Sequence, residues 1–239
     1  GDTSPYVGSV DVTMMYSVVD VAGINRISAR ILANAAGTLV GMATEPVPAL
    51  DEARPLVAAS MWGVTTPCVT MARERLEKLG YDVLVFHQTG TGGDSMEGLV
   101  GTGLVEGVLD VTTTELVGEL AGGVWPAGPD RLEVAGRLGI PQVVSLGGLD
   151  LIAIGPPDPL REGFDDRWIY RHDEHMAAAR TTPDEGSSLA QVMARKLNSA
   201  TGPVALFVPL LPTNPSTSPR LTCDPSDKPF GSSARWKYL

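Results

Sequence analysis

The stretch DVLVFHQTGTGGDSMEG, residues 82–98, constrains the fold of this chain more than any other. Val83, Leu84, Val85 and Phe86 form a short uncharged run of β-formers, the pattern of a strand covered on both faces. Gly90, Gly92 and Gly93 follow, and Ser95, Met96 and Glu97 lead into an apolar run that can start a helix. Strand, glycine-rich turn and helix start together bring bare backbone N–H groups to the carboxyl edge of a sheet, where an anion can be held without a lysine. The spacing is not G-x-G-x-x-G, and no Gly-Lys-Ser/Thr closes it as in a P-loop. Two readings therefore stand. In one, the loop binds a ligand, with hydroxyls from Thr89, Thr91 and Ser95 beside the amides and with His87 orienting the ligand or acting as a base. In the other, the glycines only permit tight turns and His87 is satisfied at a strand end.

The rest of the chain alternates in the same way. Residues 11–20, 39–44, 58–65, 107–112, 141–147 and 200–210 are predicted strands. Helices are predicted from about Asn25 to Leu39, after Thr66 with Pro67 in the first turn, from Thr113 or Thr114, from Pro129 to Leu138, and after Thr182. The last has the strongest local signal: Thr182 as N-cap, Pro183 at the first helical position and Glu185 closing a capping box. Alternation of this kind predicts an α/β fold, a mostly parallel sheet flanked by helices in a Rossmann-like three-layer architecture.

Charge narrows the partners. Eighteen basic against twenty-eight acidic residues give a formal charge of −10, with no basic stripe interleaved with aromatics, so nucleic acid is not an expected partner. No uncharged run is long enough to span a bilayer, and no membrane association is expected. Cys68 and Cys223, the two cysteines, lie far apart and read as reduced thiols in a cytoplasmic protein. Cys68 falls in the first turn of a predicted helix with no histidine near it in sequence, and it reads as structural. His172 and His175 lack an H-E-x-x-H arrangement and a recognisable third ligand, so no metal site is expected. Arg26, Arg30, Arg131, Arg171 and Arg180 are candidate cations for a bound acid or phosphate, with surface ion pairing as the rival. The second glycine pair, Gly147 and Gly148 beside Asp150, marks another possible ligand edge.

Several unusual blocks occur in order: residues 1–28, TTPCV, HQTGTGGDSME, GGVWPAGPDRLEVAGRLGIPQVVSLGGLD and RTTPDE. Together they resemble the family of ATP-binding proteins related to the tomato resistance protein against tomato mosaic virus. The likeness covers residues 1–210, whereas residues 211–239 depart from it and read as an irregular tail rich in Pro, Ser, Thr and Asp. The resemblance implies a second Rossmann-like domain of a longer, two-domain chain whose first domain is missing here. It implies ATP or a related nucleotide as ligand, and the plant relatives bind a viral replication protein. The residues matched to its glycine-rich block are Gly90, Thr91, Gly92, Gly93, Met96 and Glu97. Those matched to its arginine-threonine block are Arg180, Thr181 and Thr182.

The expected function is a nucleotide- or phosphate-binding regulatory or interaction domain that takes a small phosphorylated ligand. Its site would comprise His87, Thr89, Gly90, Thr91, Gly92, Gly93, Ser95, Met96, Glu97, Arg180, Thr181 and Thr182. An enzyme acting on a phosphorylated or carboxylated metabolite would use the same anion site, and a non-binding structural fragment would need only the turns. Two-fold association into a homodimer is also expected, since an isolated half of a larger relative leaves apolar helix faces to cover.

Overall fold

The computed structural model describes residues 4–8, 10–20, 22–46, 54–157, 162–209 and 237–238. The chain divides into two units, Val10–Ala53 and the remainder. A four-residue helical turn, α1 (Ser4–Val7), falls in the larger unit.

The smaller unit is built on one helix, α2 (Arg26–Thr44). Asn25 caps it: its side chain accepts from the Ile27 and Ser28 amides, and the Ser28 hydroxyl accepts from the Asn25 amide. Two expectations fail here. Residues 39–44, predicted as a strand, are the last turns of α2. Gly41 is the weakest helix former between Leu39 and Thr44, and a single interior glycine lowers helix stability without ending the helix. Residues 11–20 run without regular structure, and Val18 takes a positive φ of 66°. A strand needs a neighbour for its ladder, and no strand pairs with this segment among the described residues. On this helix Ile27 is exposed, Ile31 and Ala35 are half-buried, and Ser28 is the buried residue.

The larger unit follows the predicted alternation. In order it contains β1 (Leu56–Met61), a 3-10 turn (Gly63–Thr65), α3 (Thr66–Lys78), β2 (Asp82–His87), α4 (Thr91–Gly101), β3 (Gly107–Thr112) and α5 (Thr114–Ala121). It continues with α6 (Val134–Leu138), β4 (Gln142–Gly147), β5 (Leu151–Gly155), β6 (Ile169–Arg171), β7 (Ala177–Arg180), α7 (Pro183–Asn198), β8 (Val204–Val208) and β9 (Lys237–Tyr238). The main sheet has the order β2-β1-β3-β4-β8-β9, parallel throughout except for β9. Strands β5, β7 and β6 form a separate antiparallel sheet.

Alternate residues of the central strands serve opposite faces, as strand geometry requires. Ala58 and Val108 pack with Met96, Val100 and Ala135 under α4 and α6, while Ala59 and Val111 pack with Val69 under α3. Helices thus cover both faces, giving the three layers. A third cluster joins Leu116, Val117 and Val144 to Ile152 and Ala179 of the second sheet and to Leu189 and Met193 of α7. The helix predicted from Pro129 is shorter: residues 129–133 are turns, and α6 starts at Val134. It ends after Leu138 as predicted, at Gly139 in the left-handed conformation that a glycine adopts without penalty. The tail at 211–239 lies outside the described residues, apart from β9.

The start of α7 carries the capping box read from the sequence. The Thr182 hydroxyl accepts from the Glu185 amide, and Glu185 accepts from the Thr182 amide at 2.7 Å. Arg167 adds a two-pronged pair to Glu185, both contacts at 2.8 Å. The Arg167 hydrogen bond is the main reason the Glu185 carboxyl is held below its ordinary value. A depressed carboxyl contributes stability that is present above its unfolded value and lost as pH falls through the folded one. Glu185→Gln keeps the cap but loses the ion pair, so it is expected to lower stability by about 1 kcal/mol at neutral pH. Acid titration of wild type and variant by circular dichroism should show the gap closing at low pH, and a constant gap would contradict this.

Candidate functional site

Because the strands are parallel, the loops after β1, β2, β3 and β4 emerge at one edge of the sheet. The chain runs from β1 to its neighbour β2 and then crosses to β3 on the other side of β1. Strand order therefore reverses between β1 and β3, and the crevice outside the carboxyl ends of such a pair is where open α/β sheets receive ligands.

The backbone pairing of β1 with β3 ends at Ala59 and Leu109. Beyond it the strands are joined through side chains. The Ser60 hydroxyl donates to Asp110 at 2.6 Å and accepts from the Thr112 amide at 2.8 Å, and the Thr65 and Thr112 hydroxyls meet at 2.6 Å. Above this floor stand Trp62 and Trp125, edge to face with ring centroids 6.1 Å apart. Gly148 is placed against Trp62, where an added Cβ would lie 3.5 Å from the ring. The Trp125–Pro126 backbone crosses over Gly90, where an added Cβ would lie 2.9 Å from the Pro126 oxygen. The glycine-rich loop, the two tryptophans and the β4 turn thus converge at this edge of the sheet.

Beneath the loop lies a buried charge cluster. The Arg131 side chain is 1% exposed and bonds three carboxylates: Asp110 at 2.5 and 2.9 Å, Glu115 at 2.9 Å and Glu97 at 3.2 Å. It also donates to the Gln88 side chain at 2.9 Å. Burial pulls the guanidinium down, but Asp110, then Glu115 and Glu97, hold it above its ordinary value. Glu115 turns its other oxygen to the loop, accepting from the Gly90 amide at 2.7 Å and the Gly93 amide at 3.1 Å. Burial raises its carboxyl above the ordinary 4.5, outweighing Arg131 and the two amides. A carboxyl raised on folding makes a contribution that falls as pH rises from the unfolded value through the folded one.

The residues singled out from sequence divide accordingly. Gly90 and Gly93 give their amides to an internal carboxylate rather than leaving them open. Gly92 is required by a close approach, since a Cβ there would stand 1.7 Å from the His87 carbonyl oxygen. The Thr91 and Gly92 amides, in the first turn of α4, have no hydrogen-bond partner among the described residues. Thr91 and His87 are exposed, Thr89 and Ser95 half-buried. Met96 is core. Glu97 accepts from Arg131 and from the Leu132 and Val134 amides, fastening α4 to α6. The second block joins the segment that follows the β4 turn: Arg180 ends β7 opposite Leu151, the Thr181 amide donates to the Asp150 carbonyl, and Thr182 caps α7. No hydrogen bond or ion pair among the described residues joins residues 87–97 to residues 180–182.

Sequence reasoning missed Arg131 as the hub and missed Asp110 altogether. One signal was available: Asp110 is a lone charge inside GVLDVT, a strand otherwise without one, and a buried charge requires a partner. The histidines follow their loop, His172 and His175 flanking the turn between β6 and β7, both exposed. No group of three metal-ligating side chains occurs among the described residues. No described helix is long and apolar enough to cross a membrane.

A Rossmann-like α/β domain whose strand order reverses between β1 and β3 is the class that this geometry defines. Residues 54–219 match the C-terminal domain, and residues 1–48 the N-terminal domain, of the uncharacterised protein family UPF0261. The chain belongs to that family. It is 50% identical over 210 residues to a UPF0261 protein of Clostridium tetani, covering 88% of this chain and 52% of the relative. It is 44% identical over 209 residues to the UPF0261 protein RA0729 of Rhizobium meliloti, covering 87% and 52%. It is also 40% identical over 214 residues to the ToMV resistance protein Tm-1(GCR237) of Solanum lycopersicum, covering 87% and 28%. The chain spans about half the length of these bacterial relatives.

Proposed function

We propose that this domain binds a small phosphorylated ligand, ATP or a related nucleotide, in the crevice above β1 and β3, as a regulatory or interaction domain. The observation that carries the reading is the convergence at the strand-order reversal of the Thr91 and Gly92 amides with Trp62 and Trp125. Amides in the first turn of a helix favour an anion, and aromatic faces favour a planar ring. Glu115 supports the same view, because the loop already draws a carboxylate oxygen onto two of its amides. In a chain of formal charge −10, these local donors outweigh the global field in selecting an anion. The tomato relatives are named for resistance or susceptibility to ToMV, which favours a regulatory or interaction role.

Thr91→Asp tests the site without damaging the loop. An acid in the first turn of α4 leaves helix stability unchanged or raised, by up to about 1 kcal/mol. It also sets a negative charge where the phosphate would lie. Calorimetric titration with ATP, ADP and inorganic phosphate is expected to show affinity weakened by about tenfold or more in the variant, since each ~1.4 kcal/mol of repulsion is a factor of ten. Equal affinity in two equally stable proteins would sink the assignment.

A further inference from the structure

The edge strand of the small antiparallel sheet holds a feature that the crevice does not use. On β6 and its flanks, Trp168, Tyr170 and His172 occupy alternate positions and leave the sheet on one side. Trp168 and Tyr170 lie nearly parallel, 18° apart with centroids 6.4 Å apart, and the His172 ring follows 6.2 Å beyond. Both large rings are well exposed, Trp168 at 45% and Tyr170 at 40%. The Arg180 amide donates to the Trp168 carbonyl at 3.0 Å, extending the register that pairs Ile169 with Ala179. Arg180 therefore stands directly across the ladder from Trp168, and opposed residues of an antiparallel pair share a face.

The neighbouring arginines are spoken for. Arg167 is fixed by Glu185, by the Arg180 carbonyl and over the Phe164 ring, and Arg171 donates to the Pro157 carbonyl. The half-buried Arg180 guanidinium has no hydrogen-bond acceptor or ion-pair partner among the described residues. Asp173 and Glu174 at the far end of the ladder lie against His172 and His175 instead. A guanidinium without an acceptor among the described residues, on the residue opposed to Trp168 in a ladder that carries two exposed and mutually aligned rings, complements a flat ring with a negative group. The ring covers Trp168 and Tyr170 while the anionic oxygens take the fork of Arg180.

We infer that Trp168, Tyr170 and Arg180 form a second binding platform for an aromatic anion: a planar ring bearing a phosphate or carboxylate. The platform shares no residue with the proposed phosphate site, so either can fail alone. The test is an amide-resolved NMR titration of the full chain with AMP, benzoate, adenosine and inorganic phosphate. Saturable shifts at residues 168–172 and 178–180 are expected with AMP, benzoate or both, and which of the two acts identifies the anionic head. Adenosine and phosphate alone are expected to bind about tenfold more weakly, and Arg180→Gln and Trp168→Leu to weaken the anion by a similar factor. Thr91→Asp is expected to leave these shifts unchanged. Binding of adenosine as tight as that of AMP, or unaltered binding in Arg180→Gln, would overturn the platform. So would shifts at these residues that follow protein concentration without ligand, which would mark the face as a contact between copies of the chain.

Discussion

Replacing Arg131 with methionine is expected to destabilise the larger unit by on the order of 3–5 kcal/mol, because removing one side of a buried ion cluster leaves the other uncompensated. Three carboxylates converge on this guanidinium, and two of them, Asp110 and Glu115, are as buried as it is. Methionine fills most of the volume, so the loss reports charge and hydrogen bonding rather than a cavity. Glu115 would lose the partner that orients it beneath the Gly90 and Gly93 amides, and the glycine-rich loop should loosen with it. Adding Asp110→Asn removes one stranded charge and should recover part of the loss, a coupling expected between groups in direct contact. Chemical denaturation of the single and double variants, with hydrogen exchange at Gly90 and Gly93, checks both points. A single variant within about 1 kcal/mol of wild type would contradict the cluster's role, being no more than the average effect of a point mutation.

Gly92→Ala is expected to be the second large loss, and Gly98→Ala in the same helix a gain. At position 92 the added carbon would meet the His87 carbonyl oxygen at 1.7 Å and its carbon at 2.6 Å, backbone atoms that cannot swing aside. Either the end of β2 or the start of α4 must move, at a cost of about 1–3 kcal/mol or more. At position 98 no atom lies within 4 Å of the added carbon, and alanine in an exposed helix interior stabilises by roughly 0.8–1 kcal/mol over glycine. Opposite shifts in melting midpoint are the expected result, and a neutral Gly92→Ala would show that the approach to His87 is loose.

Local signals carried most of the fold. The β2 run from Val83 to Phe86, the Thr182 cap with Pro183 and Glu185, and the Gly139 stop all act within a few residues, and each appears in the structure where the sequence places it, although β2 is the sheet's edge strand, with Leu84 and Val85 exposed, rather than one covered on both faces. Failures arose where the deciding partner is distant. Residues 11–20 have strand composition but no ladder to join among the described residues, and β-propensity expresses packing against neighbours more than a backbone preference. LVGMAT, equally apolar, continues α2 because helix hydrogen bonds need no second strand.

The candidate site was legible in its loop but not in its wiring. The sequence pointed to Gly90, Gly92 and Gly93 as places where backbone must come close to something. For Gly92 that something is the His87 carbonyl, and for Gly93 it is the Glu115 side chain, where an added Cβ would lie 1.9 Å from the carboxylate. Glu97, Asp110, Glu115 and Arg131 lie in four segments, and only the return of the chain across the sheet assembles them. Arg180 was grouped with the loop by family resemblance, and its place at the end of β7, opposite Leu151, is set by sheet pairing that the sequence does not display.

The central claim is that the carboxyl edge at the β1–β3 reversal receives a phosphorylated ligand. An amide-resolved NMR titration of the full chain with ATP tests it most directly. The account predicts saturable shifts at Thr91 and Gly92 and at the Trp62 and Trp125 indoles, weakened in Thr91→Asp, with the Gly90 and Gly93 amides still protected by Glu115. Unmoved signals at Thr91, Gly92, Trp62 and Trp125 under excess ATP, in a protein shown to be folded, would contradict it.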